Sequence, residues 1–287
     1  MASKFYTADF AWDSLAPRLE EYEAACCEAA ALAPASPPPP VCHQAAWDAF
    51  YERHAAGFFH ARTYLLACFP LLSTLTASDT VLEVGAGNGS NIAALLAHTP
   101  ARIAAGDASA ASLAALSAVP ACAQAMAAER LSIFLWDVAA APAPLPASTA
   151  LLLFTLSALA PREHPAALRN LAASLPLGGN LLFRDYGHGD LAQLRAPPCS
   201  RLAWEPEGSG AAGGAAPPPS PDLAGATHRR SDGTLAHYFK VEELRALLGA
   251  AGFEPLELLY HTVENRNRKS GQAMQRVFVH ALARRVV

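Results

Sequence analysis

Four carboxylates in this chain stand where an apolar run gives out: Glu83 in "TVLEVG", Asp107 in "RIAAGD", Asp137 in "LSIFLWD" and Asp185 in "NLLFRDYG". A carboxylate at a strand end can accept hydrogen bonds from a bound hydroxyl or amine. The first is followed by "GAGNGS", in which Gly85, Gly87 and Gly89 let the backbone turn sharply and pass close to a ligand. The third glycine comes one residue earlier than in the GxGxxG loop that sets a helix N-terminus against a pyrophosphate. Asp107 is placed to take two ribose hydroxyls, Asp137 the exocyclic amine of adenine, and Glu83 a water or an amino group. That set suits S-adenosylmethionine, which carries adenine, ribose and an amino acid but no phosphate. The fourth corner, Arg184-Asp185-Tyr186 before Gly187 and Gly189, puts two charges side by side at the end of a buried strand. It reads either as an ion pair that orders a loop or as a reacting centre.

The elements that must carry these groups alternate along the chain. Short apolar runs at Thr80–Gly85, near Asp107 and Asp137, at Ala150–Leu159 and before Arg184 read as strands. Helical patterns lie between them: one passes through Ile92 and Leu96, another runs from Pro165 to Leu175 and stops at Gly178-Gly179. A last helix, Val241 to Leu248, closes at Gly252, and "MQRVFVHAL" supplies a late strand. Such alternation predicts an open, doubly wound α/β domain with a largely parallel sheet. Ligands bind such sheets beyond the carboxyl ends of the strands.

The chain divides into an N-terminal arm and Pro-rich linker (1–40), a helical segment with the stripe Trp47, Phe50, Tyr51, His54, Phe58 (41–76), and the main domain (77–287). "EGSGAAGGAAPPPSPDLAGA" (207–226) reads as a disordered insertion. The aromatic stripe fits either an ordinary packed helix face or a lid with Tyr51 and Arg62 turned to the cofactor. His54 and His60 read as surface or packing residues.

Net charge is −4, but ten Lys/Arg against six Asp/Glu between Thr227 and Val287 make that tail +4 and leave the rest at −8. A basic tail fits a polyanionic partner or simply a solvated face. Six cysteines lack CxxC or zinc spacing, and ten histidines form no HExxH pattern, so no metal is expected. The start lacks the features of a signal or transit peptide, and no apolar run reaches membrane-spanning length uninterrupted. A cytoplasmic protein, with the nucleus as a second location, is the expectation.

"VLEVGAGNG", "LSALAPREHPAALRNL", "GGNLLFRDYGHGDLAQLR", "SDGTLAHYF" and "RVFVHA", with "WDAFYERHAAGFFHAR" (47–62), resemble the tRNA 3-methylcytidine methyltransferases. The resemblance implies a Rossmann-like class I methyltransferase, with a mostly parallel seven-stranded sheet and an N-terminal helical extension. It implies methyl transfer from S-adenosylmethionine to N3 of a cytidine in the tRNA anticodon loop, usually position 32. Some members need a partner such as seryl-tRNA synthetase. The cofactor set is then Glu83, Gly85, Gly87, Gly89, Asp107, Asp137, Trp47, Tyr51, Arg62 and Thr155. Arg195, Arg266, Arg268, Lys269 and Arg276 are candidates for RNA. The sequence departs from the family at Ala86, Ala108 and "PLGG", and lacks the aromatic segment that usually precedes Asp-Gly-Thr.

N3 of cytosine carries an in-plane lone pair and is mostly unprotonated at neutral pH, so alignment matters more than a general base. The product ring is cationic, which makes Asp185 the candidate catalytic carboxylate, with Tyr186 to stack and Arg184 to hold a phosphate or lock Asp185. A methyltransferase of the same fold acting on a small molecule or protein, and a non-catalytic partner subunit, are the alternatives.

Overall fold

The structure is a computed structural model that describes residues 8–32, 43–53, 64–202, 225–266 and 273–287. The arm opens with a 3-10 turn and α1 (Ala16–Ala31), started by Pro17 and burying Leu19, Tyr22 and Cys26 on one face. Next come α2 (His43–Arg53) and α3 (Leu65–Cys68), then β1 (Thr80–Val84), α4 (Ile92–His98), β2 (Arg102–Asp107), α5 (Ala110–Ser117) and α6 (Pro120–Ala127). The chain continues through β3 (Leu131–Leu135), β4 (Thr149–Leu153), α7 (His164–Ala173), β5 (Asn180–Tyr186) and α8 (Leu191–Leu194). It ends with β6 (Ala226–Arg229), β7 (Leu235–Tyr238), α9 (Val241–Ala250), β8 (Phe253–Arg266) and β9 (Ala273–Arg285).

Seven strands form one sheet in the order β3-β2-β1-β4-β5-β9-β8. The first five are parallel, and β9 runs antiparallel to both β5 and β8. β4 is buried at every residue, as a central strand covered on both faces must be. Alternation divides the core. Leu82, Leu152 and Phe183 pack on one face with α7 and α9, while Val81, Leu151 and Leu182 pack on the other with Ile92 and Leu116. β6 and β7 form a separate hairpin that meets the end of β5 through a bridge between Gly187 and Phe239.

The arm docks on the antiparallel edge. Trp12 stacks on Tyr260 with centroids 5.0 Å apart and donates from Nε1 to the His188 carbonyl at 2.8 Å. Tyr22 Oη donates to the Ala196 carbonyl, and an Arg201–Glu23 ion pair ties α1 to the segment after α8.

The structure corrects four boundaries. The apolar run 150–159 is not one strand: β4 ends at Leu153, Phe154 turns the chain at φ +53°, and Leu156–Ala158 form a 3-10 turn. β3 ends at Leu135, two residues before Asp137. β8 spans 14 residues that held no expected strand, because its half-exposed alternation has no uninterrupted apolar run. Ala226 belongs to β6; the rest of the expected insertion, apart from Gly225, lies outside the described residues, as do His54, Phe58, His60 and the proline linker.

Candidate active site

The glycine loop leaves β1 with Gly85, Gly87 and Gly89 all at positive φ (+67°, +55° and +81°), where a side chain would be strained. Space is also short. A Cβ on Gly85 would lie 2.4 Å from Thr155 Oγ1, and one on Gly87 would lie 2.5 Å from Tyr51 Oη. Thr155 itself donates from Oγ1 to the Val84 carbonyl at 2.9 Å, wedging the ends of β1 and β4 together. Asp107 splits its carboxylate between two backbone donors: Oδ2 accepts from Gly87 N and Oδ1 from Ser109 N, each at 2.8 Å. Burial pushes the Asp107 carboxyl above the usual carboxylate range, and these two N–H groups hold it back.

Glu83 is buried, and its Oε1 accepts from Asn91 Nδ2 at 2.7 Å. The helical segment closes over this loop. Besides Tyr51, Asp48 of α2 accepts from Ser109 Oγ at 2.5 Å, so the helix is latched to the residue that caps α5. Trp47 reaches the site through its neighbours, with ring centroids 5.3 Å from Phe50 and 6.0 Å from Tyr51. Asp137 is exposed and turned onto its own loop, where Oδ1 accepts from Ala139 N. Arg62 lies outside the described residues.

The charged corner of β5 separates rather than pairs its two charges. Side chains alternate along a strand, so Arg184 and Asp185 enter opposite faces. Arg184, 2% exposed, donates from a terminal guanidinium nitrogen to His261 Nδ1 at 2.9 Å, and its guanidinium carbon lies 4.4 Å from the Phe278 ring centroid. Burial, with Arg184 alongside, holds His261 down at about 4, so its ring is the neutral acceptor. Arg184 is therefore not placed to hold a phosphate. Asp185, 0% exposed, accepts from Ser157 N at 3.0 Å and from its own neighbour Tyr186 N at 2.9 Å. Burial raises it to about 6, against those hydrogen bonds and the nearby His237. The bond from Ser157 N ties it to the 3-10 turn after Phe154. Both carboxylate oxygens of Asp185, the candidate catalytic carboxylate, are thus engaged by backbone N–H groups.

Tyr186 instead opens toward an aromatic cluster that the sequence did not single out. Its ring centroid lies 5.1 Å from Phe154 and 5.7 Å from Tyr238, and Phe154 lies 5.7 Å from Phe278. Arg230 sits 5.5 Å over the Tyr186 ring and Arg276 lies 5.3 Å over Phe278. Phe154 is a bulky residue in the left-handed region, a conformation uncommon enough to point to function. It directly precedes Thr155, so the cluster begins one residue from the wall of the glycine loop.

The basic candidates among the described residues differ in setting. Arg276 donates to Asp190 at 2.8 Å beside the cluster, while Arg195 and Arg266 are exposed. Arg284 pairs with Asn180 at the opposite end of the sheet, and Arg285 is spent there on the Leu175 and Val287 carbonyls. Arg268 and Lys269 lie outside the described residues.

The chain matches a family described as "Methyltransferase domain" over residues 51–258. It is 30% identical to the Drosophila melanogaster tRNA N(3)-methylcytidine methyltransferase Mettl2 over 83% of this chain and 70% of that one. It is also 30% identical to Schizosaccharomyces pombe trm140, likewise a tRNA N(3)-methylcytidine methyltransferase, over 82% and 72%. The chain belongs to the tRNA N(3)-methylcytidine methyltransferase family. Among solved structures, a SAM-dependent methyltransferase from Anabaena variabilis has the same fold with a TM-score of 0.57 at 12% identity, covering 88% of this chain and 99% of that one. A Burkholderia thailandensis methyltransferase with S-adenosylhomocysteine bound matches at 0.52 and 18% identity, covering 89% and 95%.

For this member of the family the donor set fits S-adenosylmethionine. The glycine loop leaves no room for a Cβ at Gly85 or Gly87, Glu83 and Asp107 stand in the last residues of β1 and β2, and the buried Asn88 and Asn91 Oδ1 atoms beside the loop have no hydrogen-bond partner among the described residues. Asp107 would hold the ribose, Glu83 and Asn91 the amino acid end, and Tyr51 the cover. The cofactor supplies an electrophilic sulfonium methyl; the protein supplies its orientation and a place for the acceptor.

Proposed function

We propose that this chain methylates N3 of a cytidine in the anticodon loop of tRNA, at position 32, in the cytoplasm. The observation that carries the reading is the Phe154–Tyr186–Tyr238–Phe278 cluster flanked by Arg230 and Arg276, contiguous through Thr155 with the glycine loop. A base splayed out of a loop stacks on such rings, and arginines beside them suit its phosphates. The ring that receives the methyl becomes cationic, and aromatic faces stabilise it as charge develops. Alignment then does most of the work: Asp185 fixes the Leu156–Ala158 turn and the end of β5, which set Phe154 and Tyr186 relative to each other. The relatives named as tRNA N(3)-methylcytidine methyltransferases support tRNA as the substrate. A synthetase that presents the tRNA, such as seryl-tRNA synthetase, belongs to the same proposal.

The experiment is methyl transfer from labelled S-adenosylmethionine to total tRNA, with and without a seryl-tRNA synthetase, followed by nucleoside mass spectrometry. 3-Methylcytidine at position 32 is the expected product. Label in another nucleoside, or none under either condition, would overturn the reading.

A further inference from the structure

Away from the cofactor, on the face of β5 that carries Asp185, three ionisable side chains converge in the interior. His164 opens α7, His237 lies in β7 and Glu243 lies in the first turn of α9; they are 1%, 1% and 2% exposed. One donor atom from each lies within 4.8 Å of the other two. His237 Nε2 is 3.0 Å from Glu243 Oε2 and 3.1 Å from Oε1, and the two imidazole rings meet edge to face at 5.0 Å.

We propose that His164, His237 and Glu243 form a site for one divalent zinc ion. Two imidazoles with one carboxylate is a recurrent zinc donor set, with metal–ligand bonds of about 2.0–2.1 Å that hold tetrahedral ligand atoms about 3.4 Å apart. Small side-chain shifts bring the three donors to that spacing. A single His–Glu hydrogen bond brings the carboxylate to one ring; a coordination centre would also draw in the buried His164 ring, which has a donor atom within 4.8 Å of the other two. Each donor is also oriented from outside, as metal ligands are. His237 Nδ1 meets Thr227 Oγ1 at 2.8 Å, Glu243 Oε2 accepts from Gly225 N at 3.0 Å, and His164 Nε2 meets the Leu159 carbonyl at 3.3 Å. The ion would staple α7 and α9 to the β6–β7 hairpin, which carries Arg230 just beyond β6 and Tyr238 next to His237. The sequence spacing hides the set, because the two histidines stand 73 positions apart.

The test is titration of the full-length chain, stripped with a chelator, with cobalt(II) as a spectroscopic substitute for zinc. The expected result is one equivalent bound with tetrahedral d–d absorption and no thiolate-to-metal charge-transfer band, displaced by zinc, together with a rise in Tm. Glu243→Gln and His164→Leu should each weaken that binding at least 100-fold; two variants guard against one that fails to fold. Equal binding by folded variants, a thiolate band, or no uptake by wild-type chain with native circular dichroism would overturn the proposal.

Discussion

The two halves of the proposed active site are built by different means. The cofactor half is a matter of backbone: three glycines at positive φ, and a carboxylate, Asp107, that ties the loop to the start of α5 through Gly87 and Ser109 N–H groups. The proposed acceptor half is a matter of side chains. Phe154, Tyr186, Arg230, Tyr238, Arg276 and Phe278 come from five segments, and only tertiary packing brings them together. A half fixed by backbone geometry fails on the addition of one methyl group. A half made of stacked rings should lose function in increments, with the other left intact.

Gly85→Ala is the harshest way to test that contrast. The new Cβ meets Thr155 Oγ1 at 2.4 Å and sits at φ +67°, a backbone conformation that costs an L-residue about 1–2 kcal/mol before any clash. Cofactor Kd, by calorimetry, should rise about 100-fold.

Asp185→Asn comes next and acts on the other half. An amide keeps one acceptor where the carboxylate serves both Ser157 N and Tyr186 N. Leaving one buried donor unmatched costs about 1–3 kcal/mol. Tm should fall by several degrees and kcat about tenfold, with cofactor Kd within twofold of wild type; an equal loss of cofactor affinity would join the two halves.

Acid should weaken the antiparallel edge where the arm docks. Burial holds His188, His228 and His261 at about 4 and His280 at about 3. The unfolded chain binds those protons near pH 6.5, so this stabilisation is complete above 6.5 and is lost as pH falls through about 4. Asp185, raised to about 6, works the opposite way: its contribution is complete below pH 3.8 and is lost as pH rises through 6. Four rings outweigh one carboxyl, and Tm should drop steadily from pH 7 to 4.5.

The smallest effect belongs to the latch. Asp48→Ala removes one hydrogen bond, to Ser109 Oγ, worth about 0.5–1.5 kcal/mol. It should speed cofactor release two- to tenfold in stopped flow without altering Tyr186 or its neighbours.

The same contrast explains what was legible in the sequence. Gly85, Gly87, Gly89, Glu83 and Asp107 are local signals, since a turn and a strand end write themselves in a few adjacent residues. The alternation of β and α elements likewise exposed the doubly wound sheet. Phe154 was hidden inside an apolar run, because nothing in "LLLFTLSAL" marks a positive φ. Arg230 and Phe278 were invisible because their roles depend on contacts between distant segments. In "FRDYG" the adjacent charges suggest an ion pair, but period-two alternation already keeps Arg184 and Asp185 from sharing a face.

The most direct test of a separable, aromatic acceptor half is Tyr186→Ala, with cofactor Kd and 3-methylcytidine formation in tRNA measured on the same protein. Stacking on one ring is worth about 1–3 kcal/mol. The account predicts at least a tenfold loss of 3-methylcytidine formation, measured as kcat/KM for tRNA, with cofactor Kd unchanged within twofold. Undiminished methylation, or a parallel loss of cofactor binding, would contradict it.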